Sequence, residues 1–107
     1  MIKPEGRELI HTTIQLNNQS ADGYAIPVGP VNLVFIKTEE GMIGCGAFDI
    51  AALERFGIPA AKMKPVDGPS IATIDEILDA MVKEVNVPAT KRGIVIGMTG
   101  KEALELL

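Results

Sequence analysis

The sequence predicts an α+β fold: a single compact domain, with a mixed β-sheet of about four to six strands and three or four short helices packed on it. Three observations lead there. The first half of the chain carries strand patterns, one alternating and one apolar on both faces. The second half carries helix punctuation, with an Asp cap, two capping boxes and glycine or proline stops. The residues are 47% apolar but only 4% aromatic, so the core is built from Ile, Val, Leu, Met and Ala.

From Leu9 to Leu16 the chain alternates, with Ile10, Thr12, Ile14 and Leu16 on one face and His11, Thr13 and Gln15 on the other. A period of two is the mark of a half-buried strand, here with Ile10, Ile14 and Leu16 inward. Asn17 to Gly23 has turn chemistry and predicts an exposed loop. Pro27, Gly29 and Pro30 make Tyr24 to Pro30 extended, or an edge. Val31 to Thr38 is apolar on both faces, the pattern of a central strand. Glu39-Glu40-Gly41 then turns it back into Met42-Ile43-Gly44-Cys45.

Asp49 is placed to cap a helix from Ile50 to Phe56, stopped by Gly57 and Pro59. Ala60 to Val66 reads as another strand. Thr73 and Glu76 have capping-box spacing and open a helix to about Ala80, with Ile74, Ile77 and Leu78 inward. Its acidic residues, Asp75, Glu76 and Asp79, form a solvated face. Val82 to Val87 is ambiguous between helix and strand. Pro88 to Arg92 suits one helical turn ended by Gly93, and Ile94-Val95-Ile96 a short apolar strand. Thr99 and Glu102 form a second capping box, opening a terminal helix that buries Ala103, Leu104 and Leu107.

A chain of 107 residues fits one domain. Its net charge of −4 argues against a nucleic-acid backbone or an anionic membrane as partner. So few aromatic rings also offer no stacking platform for single-stranded nucleic acid. One cysteine forms no internal disulfide, as suits a reducing cytosol. Met1 to Arg7 lacks the apolar stretch of a signal peptide, so the expected location is cytoplasmic.

The candidate chemistry centres on Gly44-Cys45-Gly46-Ala47-Phe48-Asp49, a strand-to-helix turn. Flanking glycines let other atoms approach the sulfur, and a thiol beside a helix start leans toward thiolate. Cys45 is therefore a candidate nucleophile, with Asp49 or His11, the one histidine, as base. Packing competes with chemistry at each position. Free Cys is among the most buried residue types, no activating base adjoins it in sequence, and capping alone accounts for Asp49.

Alternation puts His11 on the polar face of its strand. Gly97-Met98-Thr99-Gly100-Lys101 suggests an anion loop formed by Gly97, Thr99 and Gly100. It departs from a phosphate-binding loop, since Val95 stands where that motif has glycine and Glu102 follows Lys101. No metal-ligand spacing is present, and no cofactor is expected. Met42, Met63 and Met98 either line a pocket or fill the core.

Three blocks in order, Gly41 to Ile50, Thr73 to Ala80 and Gly93 to Leu104, resemble the YunC-like proteins, small bacterial and archaeal proteins of unknown function. The resemblance runs from about Val31 onward and implies a compact α+β domain with a Cys-Gly signature at Cys45-Gly46. It implies no reaction, substrate or cofactor.

The function expected is a ligand-binding or regulatory domain acting as a homo-oligomer, with a small-molecule pocket at the Cys45 turn bordered by Gly44 and Gly46. Two alternatives stand beside it: a thiol-dependent enzyme using Cys45, and a structural subunit of a larger assembly contacted through Tyr24.

Overall fold

The β-strands follow one another across the sheet in the order in which they occur in the chain. The structure, a computed structural model, describes residues 8–107. Met1 to Arg7, and with it the expectation of no signal peptide, lies outside the described residues. Strands β1 (Ile10–Gln15), β2 (Ser20–Val28), β3 (Val31–Lys37) and β4 (Met42–Gly44) form an antiparallel meander. The β5 strand (Ala60–Lys64) runs parallel to β4, and β6 (Met81–Val85) closes the six-stranded sheet antiparallel to β5. A parallel pair needs a crossover, which contains α1 (Ile50–Glu54). Helix α2 (Ile74–Asp79) precedes β6, while α3 (Val87–Lys91) and α4 (Gly100–Glu105) follow it. Among the described residues no helix is long and apolar enough to cross a membrane.

The helix over β2 is admitted by small residues. Ala21, Gly23 and Ala25 are buried on one face of that strand, and a Cβ at Gly23 would stand 3.1 Å from Ile74 of α2. Helices α2 and α4 pack on each other and on the sheet, with Ile77, Ala103 and Leu104 fully buried in the same core as Val34, Ile36, Ile43, Met63 and Val82. The opposite face carries a row of rings set by register: His11 faces Tyr24, Tyr24 faces Phe35, and the centroids lie 4.6 and 5.1 Å apart. Phe48 meets Phe35 edge-on at 5.3 Å. Each such pair adds about 0.5–1.5 kcal/mol beyond area burial.

The α+β class, the Glu39–Gly41 hairpin, the Asp49 cap and both Thr caps stand as expected, and β3 is a strand whose Val34 and Ile36 face is buried while Leu33 and Phe35 on the other face are half-buried. The α4 box is complete, whereas Glu76 of α2 accepts from Ala72 N rather than from its cap residue.

Several expectations are corrected. Ile10 is 49% exposed because it opens an edge strand, leaving Ile14 half buried and Leu16 buried. The Asn17–Gly23 loop shrinks to a tight turn: Leu16 N donates to Gln19 O, and Ser20 onward is strand. The segment from Tyr24 is interior strand, not edge. Pro27 lies past the last β1–β2 pair, where its missing N–H removes no bond to β1. Gly29, at φ +55, takes the turn position where hairpins favour glycine.

The α1 helix stops at Glu54. The ambiguous stretch is β6 followed by the Asn86 cap of α3. Ile94–Ile96 is not a strand, since Ile94 N closes α3 on Ala89 O while Val95 and Ile96 are 54% and 68% exposed. The chain pairs with β6 only afterwards, through Gly97 N to Val82 O and Val82 N to Met98 O.

Arg92, at the end of α3, grips Glu40 of the β3–β4 turn through two hydrogen bonds of 2.9 and 3.3 Å. That hydrogen bond, and secondarily the charge of Arg92, hold the Glu40 carboxyl below its ordinary titration range. A folded-state value below the unfolded one means the pair contributes above the unfolded value and fades as pH falls through the folded one. The contribution is small because the pair is solvated. Arg92→Ala is expected to move the Glu40 midpoint upward, as followed by carboxyl NMR. An unmoved midpoint would refute the assignment.

Candidate functional site

The parallel pair β4–β5 ends at one side of the sheet, and a cleft of about 340 Å3 opens there. Its walls are Val31–Leu33 at the start of β3, the Cys45–Ala47 turn after β4, Met63–Pro65 at the end of β5, the Pro69–Ile71 loop and Lys83 of β6. The floor is apolar: Met63, Ile71 and Cys45 are buried members of the main core. Met63 thus fills the core and lines a pocket at once.

Cys45 is 7% exposed and unpaired in a disulfide. Its N–H donates to Val34 O at 3.0 Å, and its carbonyl accepts from Phe48 N, closing the turn on the sheet. Glycine is required before it. A Cβ at Gly44 would stand 2.6 Å from the Phe48 ring, so its absence lets that ring fold back onto the strand. Gly46 is different: its Cβ direction is open, on the exposed lip of the cleft.

The predicted site residues are only partly brought together. Cys45 and Gly46 share the cleft, and Gly44 shapes the turn. Asp49 turns its Oδ1 to Ala51 N and Ala52 N at 3.0 and 3.2 Å, the geometry of a helix cap. His11 sits on β1, three strand spacings or about 14 Å across the sheet from β4. There it bonds Asp22 Oδ1 at 2.9 Å and stacks on Tyr24.

Gly97, Thr99 and Gly100 lie away from the cleft lining, and their amides are used within the chain. Gly97 N donates to Val82 O, Gly100 N to Ala80 O and Thr99 N to Glu102 Oε1. Among the described residues no three His, Cys, Asp or Glu side chains group to hold a metal ion.

Two residues of this cleft went unnoticed in the sequence. Lys64 and Lys83 line it, and no carboxylate among the described residues does. Lys83 arrives by a β-bulge: Met63 pairs with Val82 and Lys62 with Glu84, so Lys83 is the extra residue between them. Such a bulge breaks alternation and re-aims a side chain. Nothing in the local sequence announces it. Asn86 was missed as well. It is buried, and its side chain joins four backbone groups: it accepts from Ala60 N and Ala89 N and donates to Ile50 O and Ile58 O. That hub fixes α1, β5 and α3 to one another.

Residues 44–107 match the family model described as "Domain of unknown function (DUF1805)". The match starts at Gly44 and takes in the Cys45 turn, β5, the Pro69–Ile71 loop and Lys83. The chain belongs to the DUF1805 family. This DUF1805 chain is also similar to the uncharacterized protein YunC of Bacillus subtilis (strain 168), with 32% identity over 97 residues, covering 87% of this chain and 91% of that protein. In fold it is similar to the crystal structure of a protein of unknown function, TA1206, from Thermoplasma acidophilum. There the TM-score is 0.81 at 23% identity, with 97% of each chain covered. That likeness concerns the DUF1805 fold alone.

Proposed function

We propose that this DUF1805 chain is a ligand-binding or regulatory domain that holds a small molecule in the Cys45 cleft. The observation that carries the reading is the cleft's position at the carboxyl ends of a parallel strand pair, over a floor of buried apolar side chains. Strand ends of this kind leave a crevice where the chain crosses over, and α/β sheets use it repeatedly for ligands. Cytoplasmic residence and self-association belong to the same reading. The apolar pair Val28 and Val31, opposite each other at the β2–β3 turn, is half exposed and suits a second copy.

Three measurements check this. A fragment mixture titrated into the isotopically labelled chain is expected to shift the amides of Cys45, Gly46, Lys64 and Ile71 together. An occupant is also expected to slow alkylation of Cys45, which should already label more slowly than in the unfolded chain. Shifts scattered away from the cleft would refute the site, and native labelling as fast as unfolded would favour the thiol-enzyme alternative. Light scattering is expected to give a mass above that of one chain. A monomer at all concentrations would remove self-association from the reading.

A further inference from the structure

We infer that the cleft takes a small organic anion, its charged head held by Lys64 and Lys83 and its apolar body lying on Leu33, Met63 and Ile71. This rests on the cleft being the ligand site and adds the chemical class of the occupant. Two independent observations carry it.

The first is charge. The chain has 14 acidic against 10 basic residues, yet among the described residues no Asp or Glu lines the cleft while two lysines do. Lys37, Lys62 and Arg92 are each within ion-pair distance of a carboxylate, on Asp22, Glu84 and Glu40 respectively. Lys64 and Lys83 have no such partner among the described residues. Two unneutralised ammonium groups beside an apolar wall focus a positive potential in a chain that is otherwise negative.

The second is backbone geometry. The bulge makes Lys83 the extra residue, and it lines the same cleft as Met63. A bulge interrupts ladder pairing locally, and here the interruption places a cation at the cleft. Lysine heads act as compact, hydrated point charges, so they suit a carboxylate or a phosphate without demanding a fixed bidentate geometry.

The test titrates the full labelled chain, at low ionic strength, with hexanoate, hexyl phosphate and hexylamine. Both anions are expected to shift the amides of Cys45, Gly46, Lys64, Ile71 and Lys83 saturably, and hexylamine is not. Added salt weakens the anion binding. The Lys64→Gln/Lys83→Gln double variant is expected to lose about tenfold or more in anion affinity. Lys62→Gln, whose lysine pairs with Glu84 and does not line the cleft, keeps the wild-type affinity. Both cleft lysines are exposed, so the double variant retains the fold, and its amide spectrum verifies this.

Tighter binding of one anion identifies the head group as carboxylate or phosphate. Hexylamine binding as well as hexanoate, or unchanged anion affinity in the double variant, overturns the anion inference and leaves the cleft a ligand site. Failure of every probe to shift those amides overturns both.

Discussion

Gly100→Ala is expected to destabilise the fold by about 3 kcal/mol or more, a large share of what a domain of this size possesses. Gly100 opens α4 where that helix crosses α2. A Cβ there would overlap the carbonyl oxygen of Ile77 and stand 3.1 Å from Ile43 Cδ1. The obstacle is a main-chain carbonyl met by a Cβ fixed to the main chain, so no change of rotamer relieves it. Its own N–H donates to Ala80 O at 2.9 Å, which pins the helix start at that distance. Alanine's better helix propensity returns about 1 kcal/mol, too little to offset the overlap. Gly46→Ala is the matched control: nothing lies within 4 Å of its Cβ position, and a change within about 0.5 kcal/mol is expected. Urea denaturation of the two variants checks both. Equal midpoints would mean that α2 and α4 separate at little cost.

Asn86→Asp is expected to be the most damaging near-isosteric change, with a cost that depends on pH. The native amide satisfies two buried N–H groups and two carbonyls at once. A carboxylate keeps the acceptor side but loses both donors, and it brings negative charge against Ile50 O and Ile58 O. Each unsatisfied buried group costs about 1–3 kcal/mol, which puts the loss near 3–5 kcal/mol at neutral pH. Burial and the two carbonyls raise the folded-state pKa of the new acid above its unfolded value. The penalty is therefore present above the unfolded value, growing up to the folded one, and it shrinks as the acid protonates and can donate again. Stability measured against wild type at neutral and mildly acidic pH should show the gap narrowing toward acid. A constant gap would mean that the carboxylate is solvated and Asn86 is not a buried hub.

What could be read in the sequence was local. Thr73 and Thr99 announce their helices because each side chain caps the amide three residues on, with a full capping box only at Thr99, and Asp49 does so by the same local logic. Val31 to Lys37 reads directly as a strand, though only the face of Val34 and Ile36 is fully buried while Leu33 and Phe35 on the other are half-buried. The polar run before Tyr24 misled, because Ser20 and Asp22 are simply the outward residues of a strand whose inward positions are Ala21 and Gly23. Ile94–Ile96 misled in the opposite sense, as three apolar residues spent on closing α3 and turning toward β6.

The candidate site was half legible. The glycine-flanked Cys45 drew notice, but its two lysine neighbours depend on the pairing of β5 with β6, residues that a short window never sees together. Asn86 escaped for the same reason: its partners lie up to 36 positions away.

The row of rings has an optical consequence. The chain contains one tyrosine and no tryptophan, and that tyrosine is sandwiched between His11 and Phe35. Beyond the phenylalanine bands, the chain's near-ultraviolet dichroism and emission therefore come from that one tyrosine, in the β1–β3 half of the sheet. Through Phe35 and Phe48 it is coupled to the turn that carries Cys45. The protein holds a native spectroscopic reporter for events at that turn, without an introduced label.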